Sequence, residues 1–123
     1  MVRVEDDATF EQVLRAPRAI LVLHAEWSMP SVLVLRIVHR WEEDLRRASP
    51  SAALPLFVAI NRDEYPAPVI AWLKASGLER YTATGWGEVL WFEDRRVVAL
   101  AHGGANVTAS ELTRRTEVLW RSE

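Results

Sequence analysis

Apolar residues fall along this chain in two rhythms. Ala19 to Leu23 is an unbroken apolar run, the pattern of a short strand buried on both faces. Leu54 to Ile60 repeats it, with Pro55 near the start, where a missing N–H is tolerated. Between them Val34, Ile37, Val38, Trp41 and Leu45 recur at helical spacing and predict a helix with one face on a core. Pro30 suits the first turn of that helix. Earlier, Thr9 with Gln12 three residues later predicts a capping box. Phe10, Val13 and Leu14 supply the stripe of this first helix, and Pro17 stops it. After Asn61 to Pro68, a third helix carries Val69, Ile70, Trp72 and Leu73 and ends at Gly77. Glu88 to Phe92 and Val97 to Ala101 are β-rich runs joined by Glu93-Asp94-Arg95-Arg96, a hairpin. Thr108 with Glu111 is a second capping box, opening a last helix toward Trp120. Strands that alternate with helices and close on a hairpin imply an α/β sandwich with a mixed central sheet.

Composition narrows the classes. The chain has 123 residues, half of them hydrophobic, which fits one domain spanning 1–123. Its net charge of −2 gives no general pull toward nucleic acid or an anionic membrane, so neither is expected as a partner. No segment has the roughly 20 consecutive apolar residues that cross a bilayer. Val2 to Asp7 lacks the apolar stretch of a signal peptide, so a cytoplasmic location is expected. The absence of cysteine excludes disulfides and thiolate metal sites. Glu42-Glu43-Asp44 followed by Arg46-Arg47 reads as a solvated helix face. Six tryptophans are expected mostly in the core.

The segment from Ile20 to Ser31 reads I-L-V-L-H-A-E-W-S-M-P-S. It resembles the active-site segment of the thioredoxin-like superfamily, where A-E-W is followed by Cys-Gly-Pro-Cys. Pro30 keeps the proline position. Ile60 to Pro66 is similar to the family's segment ending the next strand, Phe92 to Val97 to its final hairpin, and Gly103 to a glycine after the last strand. The resemblance covers nearly the whole chain and implies a three-layer α/β/α sandwich. It also marks four departures. The two cysteine positions hold Ser28 and Ser31, the buried acid falls at Val22, and the proline before the hairpin falls at Gly87. Thiol–disulfide exchange needs a thiolate and a resolving thiol. A serine hydroxyl forms no such linkage, and valine shuttles no proton. Replacement of cysteines by serine alone would leave Val22 and Gly87 unexplained. The resemblance therefore implies a divergent, redox-inactive member.

Other chemistry in the same residues is thin. Ser28 at a helix start reads as a cap, with a nucleophile or a small-thiol or peptide site as the enzymatic alternative. His24, His39 and His102 show no metal-ligand spacing, and Gly85-Trp86-Gly87 and Gly103-Gly104 are turns rather than phosphate loops, so no metal and no cofactor are expected. A surface remains. Thioredoxins meet protein clients around this turn, and some cysteine-free relatives act as assembly chaperones. The corresponding surface here is Trp27, Ser28, Met29, Pro30, Ser31 and Val32, with Trp86 and Gly87 from the opposing loop and Leu35 beyond it. The expected function is protein binding rather than catalysis, with self-association through the same patch as a further option.

Overall fold

The structure is a computed structural model and describes residues 1–25, 27–48, 54–61, 71, 73–75, 77, 87–102 and 107–120. Strand β1 (Val2–Val4) leads into helix α1 (Asp7–Arg15), strand β2 (Arg18–His24), helix α2 (Met29–Ala48) and strand β3 (Leu56–Asn61). A hairpin of β4 (Glu88–Glu93) and β5 (Arg96–His102) follows, and helix α3 (Ala109–Leu119) comes last. Residues 71 and 73–75 are helical, in agreement with the helix expected there; most of that segment lies outside the described residues.

The five strands form one mixed sheet in the order β1-β3-β2-β4-β5. β1 and β2 flank β3 in parallel, while β4 runs antiparallel to both β2 and β5. The uninterrupted apolar run of β2 is explained by its central place. Alternate side chains must fill both faces of the sheet. Leu21 and Leu23 join Phe10, Val13, Leu14, Leu73 and Phe92 on one side. Ile20 and Val22 join Val34, Val38, Trp41, Phe57, Trp91 and Leu112 on the other. This is the three-layer sandwich that the sequence implied.

Two tryptophans lock the second layer. The indole N–H of Trp41 donates to Thr113 Oγ1 at 3.0 Å, and that of Trp91 donates to Thr116 Oγ1 at 2.9 Å. Both threonines sit half-buried on α3, so each buried indole finds the polar partner it needs on the covering helix. Trp41 also meets Phe57 edge-on, with ring centroids 5.4 Å apart.

Several local expectations need correction. Strand β1 was not foreseen. Helix α1 is capped by Asp6 rather than by a box at Thr9: the Asp6 side chain accepts the Thr9 N–H at 2.7 Å. That bond holds the Asp6 carboxyl below its ordinary range. Thr108 caps the last helix as expected, its Oγ1 accepting the Glu111 N–H at 3.1 Å, while the Glu111 carboxylate accepts from Arg114 and Arg115 rather than closing the box. Glu42 is not part of a solvated face. It is buried and pairs with the Met1 ammonium at 3.2 Å and Arg46 at 2.7 Å. Among the described tryptophans, Trp41 and Trp91 are buried, Trp120 is half-buried and Trp27 is exposed. No helix among the described residues is long and apolar enough to cross a membrane.

Candidate functional site

The candidate site is the turn from the end of β2 into α2. Central strand β2 delivers Ala25 to the carboxyl edge of the sheet, and α2 begins four residues later. The turn is tied by one side chain. Ser31 is fully buried, and its hydroxyl oxygen accepts the Ala25 N–H at 3.0 Å. The same hydroxyl lies 2.9 Å from the Ala25 carbonyl and 2.9 Å from the Ser28 carbonyl, either of which can accept its one proton. The Ser28 N–H donates to the Ala25 carbonyl at 3.1 Å, and the Ser28 carbonyl accepts the first intrahelical bond, from Val32 N–H, at 3.1 Å. Ser28 Oγ faces the Ser31 N–H at a long 3.5 Å, the geometry of a weak N-cap. Both serines thus serve the backbone of the turn.

Gly87 closes the turn from the other side. It enters β4 with φ +86°, a conformation that L side chains rarely adopt. A Cβ there would stand 2.9 Å from the Cα of Ser31 and 3.1 Å from the side chain of Val34. Glycine is therefore required both by the backbone angle and by the close approach of the first turn of α2.

The expected surface residues separate into two sets. Ser28, Ser31 and Gly87 are buried and build the turn from beneath. Trp27 and Met29 project from it, at 66% and 62% exposure. Pro30, Val32 and Leu35 are half-buried. Trp86 lies outside the described residues. Sequence reasoning missed Leu33, which is 48% exposed and sits one helical turn beyond Met29. The signal was available: Leu33 lies well off the stripe set by Val34, Val38 and Trp41.

His24 ends β2 with its side chain buried, paired in register with buried Asn61 of β3. His39 lies on α2 beside Glu43, with Nε2 3.1 Å from its carboxylate. Among the described residues no group of three potential metal-ligating side chains is gathered. Val22, at the position of the family's buried acid, is wholly enclosed in the layer of Trp41 and Trp91.

No family model matches the sequence, and no curated protein matches it. Solved structures do. A Plasmodium falciparum thioredoxin is 18% identical over 96% of this chain and 98% of its own, with a TM-score of 0.63. A thioredoxin variant from Halobacterium salinarum is 16% identical over 99% and 92%, with a TM-score of 0.69. Human ERp44 superposes with a TM-score of 0.71 at 12% identity, over 98% of this chain but only 29% of that larger one. The chain thus has the thioredoxin fold, in a divergent form that carries Ser28 and Ser31 on the turn where the resemblance places cysteines and contains no cysteine at all.

Proposed function

We propose that this protein is a redox-inactive binding module that recognises another protein, in the manner of an assembly chaperone, through the face of the turn formed by Trp27, Met29 and Leu33. The observation that carries the reading is the exposure of these three large apolar side chains within seven residues, on the turn and the first turns of α2. None of the three belongs to either buried cluster of the core. Clustered exposed tryptophan, methionine and leucine suit an adaptable protein contact. The buried serines support the reading from beneath. Their hydrogen bonds fix the turn, so the apolar side chains above it are presented on a rigid base.

The alternative, a small-thiol or peptide enzyme using Ser28, is disfavoured by Ser28 being buried and by its place in the helix cap. Thiol–disulfide exchange is closed to a chain without sulfhydryls.

The test is affinity capture from a lysate of the source cells, comparing the native chain with a folded Trp27→Ala/Leu33→Glu variant by mass spectrometry. A stoichiometric partner held by the native chain and lost by the variant is the expected result. Equal capture by both, or no partner with either, overturns the reading.

A further inference from the structure

We propose that the partner of this surface is a segment carrying apolar anchors next to carboxylates, docked along an apolar-to-cationic stripe on α2; the inference rests on the protein-binding reading above. The stripe is written into the helix. Met29, Leu33, Arg36 and Arg40 follow one another at intervals of four, three and four residues. At 100° per residue they fall within an arc of about 60°, and at 1.5 Å per residue they run about 17 Å along the helix. Met29, Leu33, Arg36 and Arg40 are all exposed. The apolar end begins two residues after Trp27, and the cationic end closes at Arg40, before the acids Glu43 and Asp44.

The two arginines have no visible task in the free protein. Neither Arg36 nor Arg40 makes an ion pair or hydrogen bond with a described residue. Their neighbours show the contrast. Arg46 is held by Glu42 at 2.7 Å, and Arg47 by Asp44 at 3.1 Å. The nearest acids that could serve Arg40 on its own helix are engaged elsewhere, Glu43 with His39 and Asp44 with Arg47. Two like charges at i and i+4 repel and weaken the helix rather than supporting it. Among the described residues of α2, no acid is left over to pair with either arginine.

A third unpaired cation widens the same field. Arg36 also lines a half-open cavity of about 290 Å³ between α2 and edge strand β1. Ala59 and Leu35 contribute its apolar walls, and Arg3 of β1 lines it as well. Arg3 likewise makes no ion pair with a described residue. Apolar anchors on Trp27, Met29 and Leu33 would supply contact area. Carboxylates opposite Arg36, Arg40 and Arg3 would supply register and a fast, salt-sensitive encounter.

The probes are synthetic peptides of about twelve residues on an array, long enough to span the stripe as a helix. They combine two or three Leu, Phe or Trp anchors with Glu, with Gln or with Lys placed about one to two helical turns away. The native chain is expected to retain the Glu series well above the Gln and Lys series, with binding that falls as salt rises from about 0.15 M to about 0.5 M. Arg36→Glu/Arg40→Glu is expected to weaken the best Glu peptide at least about tenfold and to shift preference toward Lys peptides. Arg36→Gln/Arg40→Gln should lie between. Arg96→Glu is a charge-reversal control at the hairpin end of the sheet. Equal retention of the Glu, Gln and Lys series, an unchanged profile after charge reversal, or no peptide bound at all overturns the proposal. So does binding of the native chain only to vesicles rich in phosphatidylserine, or only to nucleic acid. The two readings fail separately. A partner captured from lysate that depends on Trp27 and Leu33 but is indifferent to Arg36→Glu/Arg40→Glu keeps the binding module and removes the acidic segment.

Discussion

Gly87 lies against Ser31 so closely that a methyl group on its Cα would stand 2.9 Å from the Ser31 Cα. The backbone of β4 is thereby pressed onto the first turn of α2, across the mouth of the turn that presents Trp27 and Met29. Two penalties fall on any side chain introduced here. The φ of +86° strains an L residue, and the new carbon meets helix backbone that cannot step aside. Gly87→Ala is expected to destabilise the fold by about 2–4 kcal/mol, read from urea unfolding. A loss below about 0.5 kcal/mol would show that the loop entering β4 relaxes freely and that the close approach is not needed.

Ser31 tests the turn from the other side. Its hydroxyl is the acceptor for the Ala25 N–H, and no bulk water reaches this site. Ser31→Ala leaves that N–H buried without this partner, and removes the donor shared between the Ala25 and Ser28 carbonyls. A loss of about 1–3 kcal/mol is expected. Amide hydrogen exchange at Ala25 should quicken more than at mid-strand residues such as Leu21. Unchanged protection at Ala25 would mean that the hydroxyl is dispensable to the turn.

What the sequence disclosed follows the physics of each signal. The long apolar run of β2 and the stripe of α2 were legible because burial on both faces, or on one helical face, leaves a periodic mark. The α3 cap was legible because Thr108 and Glu111 carry it locally. Strand β1 was not, since Val2–Val4 is too short to show a rhythm and is held by pairing with the distant Val58 to Ile60. Asp6 and Thr9 are both good caps three residues apart, and only the bond between them shows which one starts the helix. Glu42 sits in an acidic cluster that looks solvated; its burial is matched by Arg46 and by the Met1 ammonium, which the fold brings in across β1, α1 and β2. At the site, the identities of Ser28, Ser31 and Gly87 were legible as departures from a pattern. Their roles were not, because the hydrogen bonds to Ala25 and the approach of β4 exist only once the sheet is assembled.

The β4–β5 hairpin carries strain in a cheap place to remove it. Asp94 and Arg95 both have positive φ, at 53° and 67°. Two consecutive residues of this kind make the turn whose twist suits a two-residue hairpin, and glycine is the favoured second residue. Arg95→Gly relieves the left-handed strain but gives up an exposed ion pair to Glu11 at 3.1 Å and adds backbone freedom to the unfolded chain. The expected net gain is about 0.5–1 kcal/mol in urea unfolding. A net loss would show that the tie to α1 outweighs the strain.

Helix α3 should carry an acid-sensitive contribution. Hydrogen bonds from Arg114 and then Arg115 hold the Glu111 carboxyl down, from 4.5 to about 2. The same contact pushes Arg114 up. A carboxyl with a folded pKa below its unfolded value stabilises the fold above the unfolded pKa, and that contribution fades as pH falls from 4.5 toward about 2. Because the carboxylate is at the surface, added salt should weaken the effect. Glu111→Gln is therefore expected to lower the melting temperature near neutral pH and to converge with the native chain as pH approaches about 2. A difference that stays constant across that range would assign the effect to packing rather than to charge.

The docking surface makes the sharpest demand, because exposure alone does not distinguish a functional contact from an idle one. Val118 on α3 is 62% exposed, as much as Met29, yet it belongs to another element. Replacing an exposed apolar side chain by glutamate costs little stability wherever it lies, typically within about 0.5 kcal/mol. Leu33→Glu and Val118→Glu should therefore fold alike and melt alike. They should part in the capture experiment, where Leu33→Glu loses the partner and Val118→Glu keeps it. Trp27→Ala should follow Leu33→Glu, since a large aromatic at the head of the stripe is the natural anchor. If Val118→Glu also released the partner, the bound surface would extend onto α3, and the turn between β2 and α2 would be only one part of a larger interface.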